Sequence, residues 1–321
     1  MVKFALLVTA GAAVLLSGIV HAQSYPARPL RLIVPSAPGG SPDINARGLA
    51  AELSKQMGQL VVVENRPGAS GILGYEALQR ATPDGYTFAY ISNFIATNPS
   101  LYAKLSYDFA RDFQPIILYF RGVNILTVSP SLPVRSVKEL IDLARAHPNK
   151  LTFGSSGVGA TPHLSMELFK TMTGTQIVHV PYKGTQQAVV DLIAGQIDIQ
   201  CDNMASLMPL VRSSRIRALA VTSLKRSAAL PELPTIDESG LPGYELTGWA
   251  GLAAPKGVPR EIVLRLNAEI NKALASPNVT KGIAARGGTK QGGTPEEFGE
   301  HVRMETERLA KLVKQIGIKP Q

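Results

Sequence analysis

The sequence predicts an α/β protein of two lobes, the second inserted into the first. Three observations carry this reading. Short apolar runs alternate with amphipathic helical patterns, which implies parallel sheets with helices on both faces. Two glycine-rich turns are built alike and stand about 120 residues apart: Val34-Pro35-Ser36-Ala37-Pro38-Gly39-Gly40-Ser41-Pro42-Asp43, and Phe153-Gly154-Ser155-Ser156-Gly157-Val158-Gly159-Ala160-Thr161-Pro162-His163. The strand pattern starts afresh near 116–128, and an apolar stretch returns at 249–254 after Pro/Gly punctuation. One lobe (23–122 plus 249–321) is therefore expected to be interrupted by the other (123–248), with crossings near 120–126 and 246–252.

The first 22 residues read as a signal peptide. Lys3 supplies the positive start, Phe4 to Val20 is nearly all apolar or small, and Val20-His21-Ala22 offers a small-x-small cleavage site, so the mature chain should begin at Gln23. A membrane anchor needs about 20 apolar residues, more than this run holds. No cysteine follows the cleavage site to take a lipid, and no other run is long and apolar enough to span a bilayer.

The elements then follow in order. Strand 30–34 leads through the first glycine turn into helix 44–57. Strand 60–64 is followed by a third glycine region, Glu64 to Gly74, where Gly71 and Gly74 permit close helix–sheet packing at the start of helix 71–81. Strands 87–91, 116–118 and 123–128 precede helix 137–147, whose Leu140, Leu143 and Ala144 share a face. Strand 151–153 enters the second glycine turn and helix 163–173. Strand 177–180 ends in Pro181-Tyr182-Lys183-Gly184 before helix 186–194. Strand 197–201, helix 206–212 and strand 217–221 close the inserted lobe. After Pro255-Lys256-Gly257-Val258-Pro259 only helices are expected, 259–274 (Ile262, Leu266 and Ile270 on one face) and 295–315.

Composition narrows the function. The net charge is +9, but Lys and Arg are scattered along helix faces, as at Arg303, Arg308, Lys311 and Lys314, with no basic run interleaved with aromatics. That pattern and the export signal argue against nucleic acid, while a positive field still favours anionic ligands. The single cysteine, Cys201, cannot form an internal disulfide and reads as core packing in a buried strand.

The two glycine turns carry the candidate site. Each ends in a hydroxyl residue and proline, Ser41-Pro42 and Thr161-Pro162; the hydroxyl suits an N-cap and the proline a first helical position. Glycines before a helix let backbone N–H groups converge on a ligand, and the helix end adds partial positive charge. A pair of such cradles describes a clamp for a small anion, and a carboxylate suits it. Plain strand–helix connections remain the rival reading. His163 falls just inside its helix, where a neutral imidazole donor or a packing role both fit. Tyr182 reads as cleft wall or solvated turn. Asp202-Asn203 ends another strand on the same side, and Asn93 and Thr97 are further rim candidates.

No catalytic team emerges. Gly154-Ser155-Ser156-Gly157 fails the G-x-S-x-G spacing because Val158 holds the last glycine position. The histidines lack metal-ligand spacing, and neither H-E-x-x-H, C-x-x-C, a phosphate-binding loop nor a dinucleotide fingerprint occurs. No cofactor and no metal are expected, and the protein is not expected to be an enzyme. The alternative is a secreted hydrolase or isomerase using Ser155, Ser156 and His163.

Several segments resemble the Bug family, the extracytoplasmic receptors of tripartite tricarboxylate transporters. They are Tyr25-Pro26-Ala27-Arg28-Pro29-Leu30-Arg31-Leu32-Ile33-Val34-Pro35, the Pro38-Gly39-Gly40-x-x-Asp43 loop, Glu64-Asn65-Arg66-Pro67-Gly68-Ala69 and Thr82-Pro83-Asp84-Gly85-Tyr86-Thr87. They continue with Asn98-Pro99-Ser100-Leu101-Tyr102, Gly154-Ser155-Ser156-Gly157-Val158-Gly159, Val180-Pro181-Tyr182-Lys183-Gly184 and Gly251-Leu252-Ala253-Ala254-Pro255, covering essentially the whole mature chain. The resemblance implies a type II periplasmic binding protein, two lobes closing over a cleft. It also implies two loops that hold a ligand carboxylate through backbone N–H groups and bridging waters, matched here by Pro38 to Asp43 and Ser155 to His163.

With the residues already singled out, the candidate ligand-binding set is Pro38, Gly39, Gly40, Ser41, Asp43, Asn93, Ser155, Ser156, Gly157, Gly159, Thr161, His163, Tyr182, Lys183 and Asp202. The expected protein is a soluble, monomeric periplasmic receptor for a small organic carboxylate. Its partners would be the large and small membrane subunits of a tripartite transporter; feeding a signalling system is the variant reading. One departure stands out. Relatives often carry a Ser/Thr–Gly stretch with a histidine after the third strand, where this chain has Ile91-Ser92-Asn93-Phe94-Ile95-Ala96-Thr97. Phe94 and Ile95 are expected to make the distal pocket more apolar.

Overall fold

The computed structural model describes residues 25–285, 287–318 and 320, so the expected signal peptide and its cleavage site lie outside the described residues. The chain opens with β1 (Leu30–Val34), α1 (Ser41–Met57), β2 (Val61–Asn65), a 3-10 turn at Ala69–Gly71, α2 (Ile72–Gln79), β3 (Thr87–Ser92), α3 (Asn93–Leu101), α4 (Phe109–Asp112) and β4 (Phe113–Gly122). A second block runs β5 (Asn124–Val128), α5 (Val137–Ala146), β6 (Thr152–Ser155), α6 (Thr161–Thr173), β7 (Val178–Pro181), α7 (Thr185–Ile193), β8 (Ile199–Asn203), α8 (Met204–Arg212) and β9 (Arg217–Val221). The return consists of β10 (Gly248–Pro255), α9 (Arg260–Ala275), α10 (Pro277–Ala285), β11 (Gly288–Lys290) and α11 (Pro295–Gln315).

These strands form two sheets, ordered β11-β4-β10-β3-β1-β2 and β7-β6-β8-β5-β9. Strand β1 is parallel to both β2 and β3, and its apolar residues are fully buried. A strand covered on both faces needs an almost unbroken apolar run, which is what Leu30 to Val34 supplies. Strands β6, β7 and β8 are likewise mutually parallel, while β5 runs antiparallel to β8 and β9. The chain passes from the first sheet to the second at Gly122–Asn124 and returns through residues 222–247 to Gly248, which pairs with Gly122. Two crossings therefore join the lobes.

Several sequence expectations need correction. The region after Pro255 is not purely helical, since β11 adds a short edge strand against β4. Strand β4 is longer than the expected 116–118; Pro115 and the polar Gln114 and Arg121 hide its ends, and Pro115 sits beside a register shift where a strand tolerates proline. Helix α3 was not expected, because Pro99 lies within it and hides its period. Neither Ser41 nor Thr161 is an N-cap. Gly40 and Ala160 hold those positions in extended conformation, and the prolines fall one residue deeper in the first turn, where an N–H is equally dispensable.

Gly74 does serve close packing. A Cβ there would come within 2.6 Å of the Pro35 side chain and 2.9 Å of its Cα, so α2 presses directly on the base of the first glycine turn.

Candidate ligand-binding site

A cleft of about 920 Å³ lies between the sheets, at the carboxyl ends of β1, β3, β6, β7 and β8. Open α/β sheets place ligands at this end of their strands. The first turns of α1, α3, α6 and α7 reach it through Ser41, Asn93, Thr161 and Thr185. None of these four helices has a side-chain cap bond; their N-caps are Gly40, Ser92, Ala160 and Gly184. Their first N–H groups have no partner within the helix, and each helix start adds partial positive charge. By contrast α5 and α11 are capped by Ser136 and by a Thr294/Glu297 capping box.

The first glycine turn is pinned from behind. Asp43 is buried; its Oδ2 accepts the Gly39 N–H at 2.9 Å, and its Oδ1 accepts Arg47 Nε and Asn65 Nδ2, each at 3.0 Å. Burial pushes this carboxyl up, but the bonds from Arg47, the Gly39 amide and Asn65 prevail, holding it below the usual carboxylate range. Gly39 adopts φ +78°, which glycine takes without strain. Asp43 and Gly39 shape the turn, whereas Pro38, Gly40 and Ser41 line the cleft.

The second turn has the same division of labour. Ser155, fully buried, is hydrogen-bonded to His179 Nε2 at 2.7 Å. Gly159 donates its N–H to His163 Nδ1 at 3.1 Å. The imidazoles of His163 and His179 stack 4.2 Å apart, with Phe153 against His179 at 4.7 Å. Burial, then repulsion from His179 and Lys170, lowers the His163 pKa to about 3; burial and Lys170 lower that of His179 to about 4. Both rings are neutral at physiological pH. Because Nδ1 accepts from the backbone, the ring N–H of His163 is on Nε2, 3.9 Å from Glu167 Oε1, and His163 does not line the cleft. Ser155, Gly159 and His163 thus stand behind the turn, and Ser156, Gly157 and Thr161 face the cleft.

The rest of the wall mixes polar and aromatic groups. Asn93 and Asn124 are buried at the cleft; Asn93 Oδ1 accepts the Trp249 N–H at 2.9 Å and Asn124 Nδ2 donates to Ser165 Oγ at 3.2 Å. Asn93 Nδ2 and Asn124 Oδ1 have no partner. Asp202 is buried, and that burial pushes its pKa up to about 6 against the pull of the Asn203 amide, Thr185 and Gln200. Tyr182 lines the cleft with its hydroxyl bound to Asp191 Oδ2 at 2.6 Å, and Lys183 lies exposed at the rim. Phe94 lines the cleft too, but Ile95 points into the core, contrary to expectation. Thr97 is fully buried, its hydroxyl donating to the Asn93 carbonyl within α3, so it is not a rim residue.

Three bonds already join the lobes: Ser41 Oγ to Asn203 Oδ1 at 3.0 Å, Gln186 Nε2 to the Gly39 carbonyl at 2.8 Å, and Ser70 Oγ to the Val158 carbonyl at 2.8 Å.

Sequence reasoning missed Asn124, Ser70, and the start of α7 at Gly184–Thr185. The last repeats the glycine-then-hydroxyl device of the two turns, and Asn124 stands near the start of the mostly apolar Val123 to Val128 run. The serine–histidine team of the enzyme alternative is not assembled in the cleft. Ser155 is buried on His179, and His163 Nδ1 is engaged by Gly159. Among the described residues, no group of three His, Cys, Asp or Glu could hold a metal ion, and no helix is long and apolar enough to cross a membrane.

A family model described as "Tripartite tricarboxylate transporter family receptor" matches residues 45–318. The chain is 40% identical over 291 residues to the "UPF0065 protein in tcbD-tcbE intergenic region" of Pseudomonas sp. (strain P51), covering 90% of this chain and 87% of that one. Its fold is similar to "R. palustris Rpa4515 with adipate", with a TM-score of 0.90 and 42% identity over 92% of this chain and 100% of the other. It is also similar to "MatC (Rpa3494) from Rhodopseudomonas palustris with bound malate", with a TM-score of 0.85 and 30% identity over 90% and 100%.

Proposed function

Because this chain belongs to the tripartite tricarboxylate transporter receptor family and has the two-lobed fold of a type II periplasmic binding protein, we propose that its cleft captures a small organic carboxylate. In this reading the protein works in the periplasm as a monomer, after cleavage following Ala22, and hands the acid to the large and small membrane subunits of a tripartite transporter. The observation that carries it is the convergence of four uncapped helix starts on one cleft. Backbone N–H groups at helix starts favour an anion, and charge-assisted bonds to a carboxylate are the strong ones. The adipate and malate held by the two R. palustris proteins support the ligand class.

The binding set under this reading is Pro38, Gly40, Ser41, Asn93, Ser156, Gly157, Thr161, Tyr182, Lys183 and Asp202 at the cleft, with Gly39, Asp43, Ser155, Gly159 and His163 holding the turns. No covalent step is required; the acid leaves as it entered. A thermal-shift screen of organic acids tests this, because a ligand at 100 times its Kd adds about 2.7 kcal/mol to stability. Acids should raise the melting temperature and their methyl esters should not. Equal shifts from acid and ester would refute the anion assignment.

A further inference from the structure

We propose that the acid taken by this cleft is an aromatic monocarboxylate, its ring lodged against Phe94, Tyr102 and Val158. The proposal rests on the carboxylate reading above and specifies what lies beyond the carboxylate. The helix starts supply backbone donors for a carboxylate, so the side chains beyond them decide what the rest of the ligand is, and few of those are charged. Among the described residues that line it, only Lys183 and Asp202 carry charge. Lys183 is exposed at the rim, next to Gly184 and Gln186, which meet Ala37 and Gly39 of the first turn.

The other end is closed where Ser70 meets Val158, and the side-chain donors of Ser70, Tyr102 and Asn98 are all engaged, which leaves Asn98 Oδ1 a buried acceptor without a partner. Tyr102 donates its hydroxyl to Ser70 Oγ at 3.0 Å, Ser70 Oγ donates to the Val158 carbonyl, and Asn98 Nδ2 donates to the Ser70 carbonyl at 3.1 Å. What remains there is apolar: Pro67, Ala69, the Phe94 ring, the Tyr102 ring and Val158. Phe94, Tyr102 and Val158 are half-buried, line the cleft wall and pack against the same core, and Ser70 bonds bring Tyr102 and Val158 together. An unpaired charge set against that wall would lose its hydration without compensation. An aromatic ring would instead remove its own apolar surface and that of the wall from water, with edge or offset contacts to two rings. Asn93 Nδ2, the buried amide donor without a partner, lies beside Trp249 and suits a neutral acceptor on the ligand body.

The test is calorimetry on the mature protein with 3-phenylpropanoate, benzoate, adipate and malate, repeated on Phe94→Ala and on Phe94→Leu, which keeps apolar bulk and guards against a folding defect. At least one aromatic acid should bind about tenfold or more tightly than adipate, and Phe94→Ala should lower the aromatic-to-adipate affinity ratio by about tenfold. Phe94→Leu should lower it less. Adipate or malate binding more tightly than both aromatic acids, or an unchanged ratio in a folded Phe94→Ala, would overturn the proposal while leaving a carboxylate receptor standing. Binding of the aromatic methyl ester as tight as that of its acid would instead remove the carboxylate reading, and this proposal with it.

Discussion

His163 and His179 stack face to face with ring centroids 4.2 Å apart, and between them they hold both ends of the second glycine turn, Gly159 through one and Ser155 through the other. His163 must stay neutral to do so, because a protonated Nδ1 could no longer accept the Gly159 N–H. Glu167 and Lys170 flank the pair, with Glu167 Oε1 at 3.9 Å from His163 Nε2 and Lys170 bound to Glu167.

Acid should therefore destabilise the protein earlier than its carboxylates alone would. The histidine pKa values fall from 6.5 unfolded to about 3 and about 4 folded, so the unfolded chain binds more protons across that interval. The stability they contribute is complete above pH 6.5 and is lost as the pH falls towards 4. Asp202 acts in the opposite sense: its folded pKa of about 6 lies above the usual 3.8, so acidification through 6 adds stability. Melting temperatures of Asp202→Asn between pH 6.5 and 4.5 should fall more steeply than those of the wild type. A flat profile in that variant would contradict the neutral histidine pair.

Gly40 offers a clean test of the cradle. Its φ of −78° and ψ of 168° suit any residue, and a Cβ there would make only ordinary contacts at 3.7 Å. Gly40→Val should fold normally yet block approach of the carboxylate, at about 1.5–3 kcal/mol for each charge-assisted bond lost. Gly157 has φ +134°, so Gly157→Val should weaken both binding and folding. Unchanged affinity in a well-folded Gly40→Val, measured by calorimetry, would place the anion elsewhere.

Gly159 tests closure. Its φ is +77°, and a Cβ there would collide with the Leu101 side chain of α3 in the other lobe. Gly159→Ala should hold the lobes apart, giving weaker binding and a larger radius of gyration at saturating ligand. Leu101→Ala in the same chain should restore part of the affinity, although deleting that buried side chain costs about 2–5 kcal/mol of stability by itself. If the double variant binds no better than Gly159→Ala, the collision is not what weakens binding.

Trp249 is the natural reporter of the same motion. It follows Gly248 at the start of β10, its backbone N–H is held by Asn93 Oδ1 at the cleft, and its indole donates to Glu305 Oε2 at 3.0 Å. As the only tryptophan in the sequence, it should change emission when ligand saturates the cleft, together with a small fall in the radius of gyration. Calorimetric binding with both signals constant would mean a rigid, preformed pocket.

Export can be checked directly. The intact mass of the periplasmic product should correspond to a chain beginning at Gln23, and a product that retains Met1 to Ala22 would contradict the cleavage assignment.

Much of this architecture was legible because the parallel strands are short apolar runs, and because glycine turns before helices have few other uses. Leu30 to Val34 was readable to the residue for that reason, and so was Arg217 to Val221, an edge strand with an apolar end. Helix α3 was not, since Pro99 and the buried polar Asn93, Thr97 and Asn98 break its apolar stripe. The site was legible as two loops but not as two layers. Sequence spacing places Asp43 and His163 beside the turns, yet only folding shows that their polar atoms face back into the backbone. Asn124 was invisible because its importance comes from the β5–β8 register, which sets it opposite Asn203 at the mouth of the second sheet.

The three bonds that bridge the lobes, from Ser41 to Asn203, Gln186 to Gly39 and Ser70 to Val158, bear on time as well as shape. Parting the lobes would break all three, so where release needs that opening, the residence time of the cargo depends on the latch as well as on the cargo's own contacts. Affinity differences among related complexes lie mostly in dissociation. Gln186→Ala, at the rim beside Gly39, would thus shorten residence. A membrane partner that competes for the latch could hasten unloading without touching the cargo.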